Sequence, residues 1–252
     1  MQLWHFGLLP LFAREPGVRL VNRMSLRQFL AFAALTGGLA VAPPQNLTPK
    51  VLPASATTQL AKSLDAARAH VRHVWRDTPP RNADATVNAY IEISRGDRRK
   101  WELDMAANAR SIDRMIPETV GGYPVNYGFV PQTVSYDGDP FDALVLGPSI
   151  SGGEMVRGIV VGLMYMEDEK GPDSKVVLSR PAPDGKPLHE LTDSDQQRIE
   201  EYFRRYKEHE PGAYSRVPGW GSVAEGTSLL TRAHVFFQKC RERSGGPCAV
   251  DR

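Results

Sequence analysis

Thr86-Val-Asn-Ala-Tyr-Ile-Glu-Ile93 sets Val87, Ala89, Ile91 and Ile93 against Asn88, Tyr90 and Glu92, the period of two expected of a half-buried β-strand. Short runs of similar texture follow at Lys100 to Asp104, Phe141 to Leu146, Met155 to Met166 and Lys175 to Ser179, separated by glycine, proline and aspartate turns. No helical pattern interrupts them, so they predict a small closed sheet. Helices come only afterwards. Thr192-x-x-Asp195 signals the start of one from about Asp193 to Glu210, with Ile199, Tyr202, Phe203 and Tyr206 on one face. Ser222-x-x-Glu225 opens a second that runs toward Cys240. Strands first and helices after predict an α+β domain.

Upstream of this domain, Leu60, Leu64, Ala67, Val71 and Val74 recur at steps of four and three, the stripe of one amphipathic helix docked on it. Pro43 to Thr58, rich in proline, alanine and threonine, reads as a linker. From Met24, a basic Arg27, an apolar run from Phe29 to Ala42 and the small-residue ending Ala40-Val-Ala42 look like a secretory signal. Thr36, Gly37 and Gly38 interrupt the run, which is too short for a stable membrane span. Export to a periplasmic or secreted location therefore stands beside a cytoplasmic protein with an uncleaved extension. The expected organisation is a signal-like or extension segment over 1–42, a linker and docking helix over 43–84, the main domain over 85–240 and a tail over 241–252.

The chain has 252 residues, 41% of them hydrophobic and 24% charged, enough to bury the core of one domain with extra segments. Its 31 lysines and arginines against 29 acids leave a net charge of only +2, too small for a general polyanion binder. Cys240 and Cys248 have no histidines at metal-ligand spacing and read as a pair of idle thiols ahead of a terminal disulfide.

Chemistry concentrates in Ser135-Tyr-Asp-Gly-Asp-Pro-Phe-Asp142, where Asp137, Asp139 and Asp142 crowd a turn ahead of an apolar strand. Carboxylates this close repel unless cations neutralise them, and oxygen-only ligands select hard ions such as Mg²⁺, Mn²⁺ or Ca²⁺. Glu167-Asp168-Glu169 and Asp173 form a second acidic group at another strand end. An EF-hand is disfavoured, because Pro148 stands where its closing glutamate belongs. The bland alternative is two solvated acidic turns. Against it weigh donors suited to phosphate: Lys100, which shares a strand face with Glu102, then Arg114, Tyr123, Tyr127, Lys175 and the pair Tyr206-Lys207.

The order Glu92, Lys100 with Glu102, Arg114, Tyr123-Pro-x-Asn-Tyr-Gly128, Asp137-Gly-Asp-Pro-Phe-Asp142, Asp168-x-x-x-x-Asp173-x-Lys175 and Tyr206-Lys207 resembles the family I soluble inorganic pyrophosphatases. The resemblance runs from about Ala85 to Lys239 and includes Val217-Pro-Gly-Trp220. The chain departs from the pattern by an extra residue between Arg114 and Tyr123, at Gly121-Gly122, and by its N-terminal extension. The resemblance implies an α+β fold built on a small closed five-stranded barrel, OB-like and flanked by helices. It also implies Mg²⁺-dependent hydrolysis of pyrophosphate to two phosphates by direct attack of a water held by the ions. Several Mg²⁺ ions would be bound, with Mn²⁺ as a substitute and Ca²⁺ as an inhibitor.

On this resemblance, Asp137, Asp142 and Asp173 hold a first metal, Asp142 shares a second, and Asp168 with Asp173 serves one arriving with substrate. Asp139 takes the proton of the attacking water, and Glu92 and Glu102 act through waters on the metals. Lys100, Arg114, Lys175, Tyr127, Tyr206 and Lys207 bind phosphate oxygens, with Tyr123 in support. The family forms hexamers or dimers, so a homo-oligomer is expected, with pyrophosphate as the small-molecule partner and neither nucleic acid nor a membrane. The competing readings are a non-catalytic barrel that binds nucleic acid and an exported calcium-binding module.

Overall fold

A computed structural model describes residues 47–250, and the signal-like stretch 24–42 lies outside them. The chain starts with strand β1 (Val51–Leu52), helix α1 (Ala54–Ala66), a 3₁₀ turn (Ala67–Ala69) and the short helix α2 (Val74–Asp77). Strands β2 (Val87–Ile93), β3 (Arg99–Asp104), β4 (Ala109–Met115), β5 (Asn126–Val130), β6 (Phe141–Leu146), β7 (Met155–Asp168), β8 (Gly171–Pro172) and β9 (Lys175–Ser179) follow. Helix α3 (Asp193–Arg205), β10 (Ser215–Gly221), α4 (Val223–Cys240) and β11 (Cys248–Ala249) complete it.

Closure comes from β7. Its first residues pair with β2 and its middle pairs with β9, while β2 pairs with β5, β5 with β6, and β6 in parallel with β9. The ring β7-β2-β5-β6-β9 is a five-stranded barrel as expected, but β5 stands in it in place of the nominated strand at Lys100 to Asp104, which pairs with β4 in a separate sheet, and β10 extends β7 beyond it. A register shift between Val160 and Gly162 lets the fourteen-residue β7 bend from one partner to the next. At Gly128 the walls come close together: a β-carbon there would stand 1.8 Å from the Tyr90 carbonyl oxygen. Val87, Ala89, Ile91, Val145 and Leu178 fill the interior with Leu229 and Leu230 of α4, while Ile199, Tyr202 and Phe203 of α3 pack on another face. Both helices open with the capping boxes read from sequence, at Thr192 and at Ser222. The first ends at Arg205 rather than Glu210.

Several expectations change. β2 is buried at every residue rather than half-buried, because its outer face is also covered. Its polar residues survive there by bonding: the Asn88 amide donates to the Pro79 carbonyl at 2.9 Å, and Glu92 accepts from the Leu103 N–H at 2.7 Å. The stretch read as a linker already turns helical at Ala54. The helix that starts there stops at Ala66, and Val71, expected on its buried stripe, is 98% exposed. Arg76 accounts for the break, since its guanidinium donates to the carbonyls of Ala67 at 2.8 Å and His70 at 2.9 Å and so bends the chain.

Cys240 and Cys248, expected as thiols, are joined in a disulfide. β11 pairs with β1, with Leu52 opposite Cys248, and this brings the second cysteine to the end of α4 with the two α-carbons 6.1 Å apart. The bridge is buried beside Leu52, Trp75 and Phe237. Among the described residues, no helix is long and apolar enough to cross a membrane.

His73 pins α2 in place. Its Nδ1 accepts from the backbone N–H groups of Trp75 and Arg76, and its Nε2 faces the Met105 carbonyl at 3.1 Å, so the neutral ring with its proton on Nε2 satisfies all three partners. Burial pushes its pKa below the usual value and the Met105 carbonyl pulls against that, with Arg76 and His70 adding to the fall and Asp77 opposing it. A depressed histidine keeps its full stabilisation above the unfolded pKa of 6.5 and loses it as pH falls, when only the unfolded chain takes up the proton. The difference in denaturant midpoint between the wild type and His73→Asn, which keeps a capping acceptor, should therefore shrink from about pH 7 to pH 5. A difference that does not change with pH would contradict this role.

Candidate active site

The pairing of β6 with β9 determines where the acids go. Ala143 lies opposite Val176 in this parallel pair, which puts Asp142 beside Lys175 at the same end of both strands. Asp173 lies two residues before Lys175 and faces the same way. The Lys175 ammonium, 1% exposed, sits 2.5 Å from Asp142 Oδ2 and 2.8 Å from Asp173 Oδ1. Burial acts to lower its pKa, but Asp142 and Asp173 together raise it, so it stays charged. This differs from the expected placement: Lys175 lies between two carboxylates instead of on the open wall with the other phosphate donors.

The turn ahead of β6 is folded by its own residues. Gly138 takes φ +98°, the Asp139 N–H donates to Asp137 Oδ1 at 3.1 Å, and the Ser135 N–H donates to the Asp139 carbonyl at 2.6 Å. Asp168, at the end of β7, receives the Lys207 ammonium at 2.7 Å, and Lys207 also reaches Glu169 at 2.8 Å. Across from these turns stands the β3–β4 ribbon, where Lys100 is paired in register with Arg114. Lys100 contacts Glu102 and lies 3.1 Å from Asp113, and Arg114 Nη1 lies 2.7 Å from Asp113. Arg114 Nη2 is 2.6 Å from Glu210 Oε1, but the two are out of hydrogen-bond alignment, so this buried donor makes an ion contact and no hydrogen bond.

These groups border one cleft of about 400 Å³. Glu92, Glu102, Asp137, Asp139, Asp142, Asp168 and Asp173 all line it, as do Lys100, Arg114, Tyr123, Tyr127, Tyr206 and Lys207. Of the residues nominated from sequence, Lys175 alone lies behind the lining. Tyr123 keeps its place despite the extra residue before it, because its N–H bonds to the Asp97 carbonyl and its carbonyl to the Gly96 N–H. Asp113, Lys170 and Glu210 also line the cleft and carry no role in the sequence reading, and Glu169 figures there only within the second acidic group. Their neighbours in sequence were noticed, but the partners that give three of them meaning, Lys100, Lys207 and Arg114, lie far away along the chain.

Electrostatics in the cleft are unbalanced. Ten acidic residues line it against four basic ones, and Lys175 behind them adds one more positive charge. Burial, with Asp142 and Glu102 adding to it, pushes Glu92 up to about 8 against the bond from Leu103. Asp137 and Asp139 are raised mainly by burial, and Asp173 likewise, with repulsion from neighbouring carboxylates contributing in each case. Burial also holds the phenols of Tyr127 and Tyr206 well above their usual range, so both remain donors. Among the described residues, no three acid, histidine or cysteine side chains stand close enough together to hold an ion as they are. The donor chemistry still fits hard divalent cations: the ligating atoms are all oxygens, and acids outnumber bases around them.

A family model described as inorganic pyrophosphatase matches residues 89–238. The inorganic pyrophosphatase of Saccharolobus solfataricus is 35% identical over 62% of this chain and 94% of its own length, and that of Rhodospirillum rubrum is 38% identical over 60% and 89%. Among solved structures, the inorganic pyrophosphatase from Thermus thermophilus superposes with a TM-score of 0.60 at 31% identity, covering 65% of this chain and 98% of that one. The Helicobacter pylori enzyme gives 0.59 at 32% identity over 65% and 99%. Matches of this extent establish that the chain belongs to the family I soluble inorganic pyrophosphatases.

Proposed function

We infer that the chain is an inorganic diphosphatase that hydrolyses pyrophosphate to two phosphates with the help of divalent cations, Mg²⁺ first among them. The observation that carries this reading is the meeting, in one cleft, of two acidic turns with a wall of arginine, lysine and phenol donors. Divalent ions bound by Asp137, Asp142, Asp168 and Asp173 would supply positive charge to the substrate and make water acidic enough to attack near neutral pH. Glu92 and Glu102, further out, suit contact with such ions through water.

The chain's own groups then divide the work. Asp139 is half-buried in the turn, and its raised pKa brings it nearer the range where a carboxylate is an effective general base, so it accepts the proton of the attacking water. Arg114 offers a planar pair of donors, one of them without a hydrogen bond in the protein. Lys100 and Lys207 hold their ammonium groups at the cleft by ion pairs and can share them with phosphate oxygens. Tyr127 and Tyr206 donate their phenol protons. Lys175 orients Asp142 and Asp173 from behind.

The alternative of a nucleic-acid barrel gains no support, since the excess of acids would repel a phosphate backbone. Nor does a calcium module account for the phosphate donors. The Cys240–Cys248 disulfide favours an oxidising compartment.

Asp139→Asn and Asp142→Asn should each lower phosphate release by about a hundredfold or more at saturating Mg²⁺ while keeping the wild-type circular dichroism spectrum. Turnover near wild type in Asp139→Asn would remove that residue from the reaction.

Cation binding should also depend on pH. With a folded pKa of about 8 against an unfolded 4.5, Glu92 stabilises the ion-free protein fully below 4.5 and loses that contribution as pH rises toward 8. The raised aspartates act in the same direction. Cations prefer the ionised carboxylates, so the rise in melting midpoint on adding Mg²⁺ should be larger at pH 8 than at pH 6. An equal rise at both values would argue against cation binding by these groups.

A further inference from the structure

Helix α1 lies outside the residues matched by the family model, 89–238, yet it packs directly on the acidic turn. At Gly138 a β-carbon would stand 2.6 Å from the Ala56 carbonyl oxygen and 2.6 Å from Gln59 Cβ. The turn and the helix therefore touch backbone to backbone. From this contact the Gln59 amide extends along the turn, with Nε2 at 3.5 Å from Asp139 Oδ1 and at 3.5 Å from Ser63 Oγ. That is the outer limit of a hydrogen bond, but the geometry repeats little if the helix moves, so the seating of α1 decides its worth.

That seating is firm. Ala56, Thr57 and Leu60 are wholly buried, the first and last of them among Trp75, Phe236 and Phe237. β1, just ahead of the helix, is held on β11 by Val51 opposite Ala249 and Leu52 opposite Cys248. Cys248 is in turn bonded to Cys240 at the end of α4, and Arg232 of α4 donates to the carbonyls of Thr48 and Pro49. A side chain delivered from an element locked in this way can hold a partner in one orientation.

We propose that Gln59 is a positioning residue for Asp139: its amide holds one carboxylate oxygen and leaves the other to accept the proton of the attacking water. The proposal rests on the reading of Asp139 as the proton acceptor. An unheld carboxylate would spend part of its time turned away from the water, which lowers turnover without weakening pyrophosphate binding.

The test uses the full chain with Mg²⁺ and pyrophosphate. Gln59→Leu removes the amide at similar length, and Gln59→Glu keeps the shape while replacing the donor by a charge that repels Asp139. The expected result for Gln59→Leu is a kcat lower by roughly tenfold with KM and the melting midpoint unchanged, and for Gln59→Glu a fall at least as large. Wild-type kcat in Gln59→Leu overturns the proposal. So does a loss accompanied by an equal rise in KM or by a drop in melting midpoint, since either points to packing alone. Asp139→Asn assayed alongside separates the two ideas: if it stays active, the reading of Asp139 fails, and if it is inactive while Gln59→Leu is normal, only the positioning role fails.

Discussion

Carboxylates buried side by side repel one another, and in this protein nearly every feature of the cleft answers that repulsion. Lys175 is inserted between Asp142 and Asp173, Lys207 between Asp168 and Glu169, and Lys100 between Glu102 and Asp113. These ammonium groups moderate the repulsion without removing it: burial first, with neighbouring carboxylates adding to it, displaces Glu92 and Asp173 upward. A site left in that condition binds cations strongly and protons more readily than ordinary carboxylates do. In the proposed reaction, affinity for doubly charged ions and the basicity of the proton acceptor thus share one physical origin.

The barrel matters because it can sustain this crowding. Closing the sheet through β7 leaves the floor of the cleft with no free edge, and parallel pairing of β6 with β9 brings two acidic segments, distant in sequence, to the same strand ends. Core packing behind them, from Val145 and Val176 through Leu229, is apolar and continuous. The energy that keeps like charges together comes from that core, and the turns themselves add only local hydrogen bonds.

Sequence patterning revealed the strands whose residues alternate or run apolar, including β2, β6 and β9, and both capped helices. It did not reveal β4, β5 or β10, nor the two-residue β1, β8 and β11. β4, Ala109 to Met115, carries polar residues on both faces and forms a strand only because β3 pairs with it, while β10 contains Pro218 and a bulge and borrows its order from β7. The acidic site was legible because its crowded carboxylates are accompanied along the chain by lysines, an arginine and phenols suited to phosphate; the acidic turns alone read equally well as solvated. What stayed hidden were relations across the chain: the partners of Arg114 and Lys207, the position of Lys175 behind the wall, and the contact of α1 with Gly138. The disulfide was hidden for the same reason, since only the pairing of β11 with β1 brings the two sulfurs together.

The β3–β4 ribbon stands apart from the barrel as a two-stranded sheet, and β4 exposes Ile112 and Met115. A free strand with apolar side chains invites another chain to pair with it and begin aggregation. Arg110, Asp113 and Arg114 alternate charge along that strand and discourage such pairing. Arg114, proposed as a phosphate donor, thus also bears on colloidal behaviour, and a substitution chosen to probe phosphate contacts there would also weaken the guard that keeps the molecules apart.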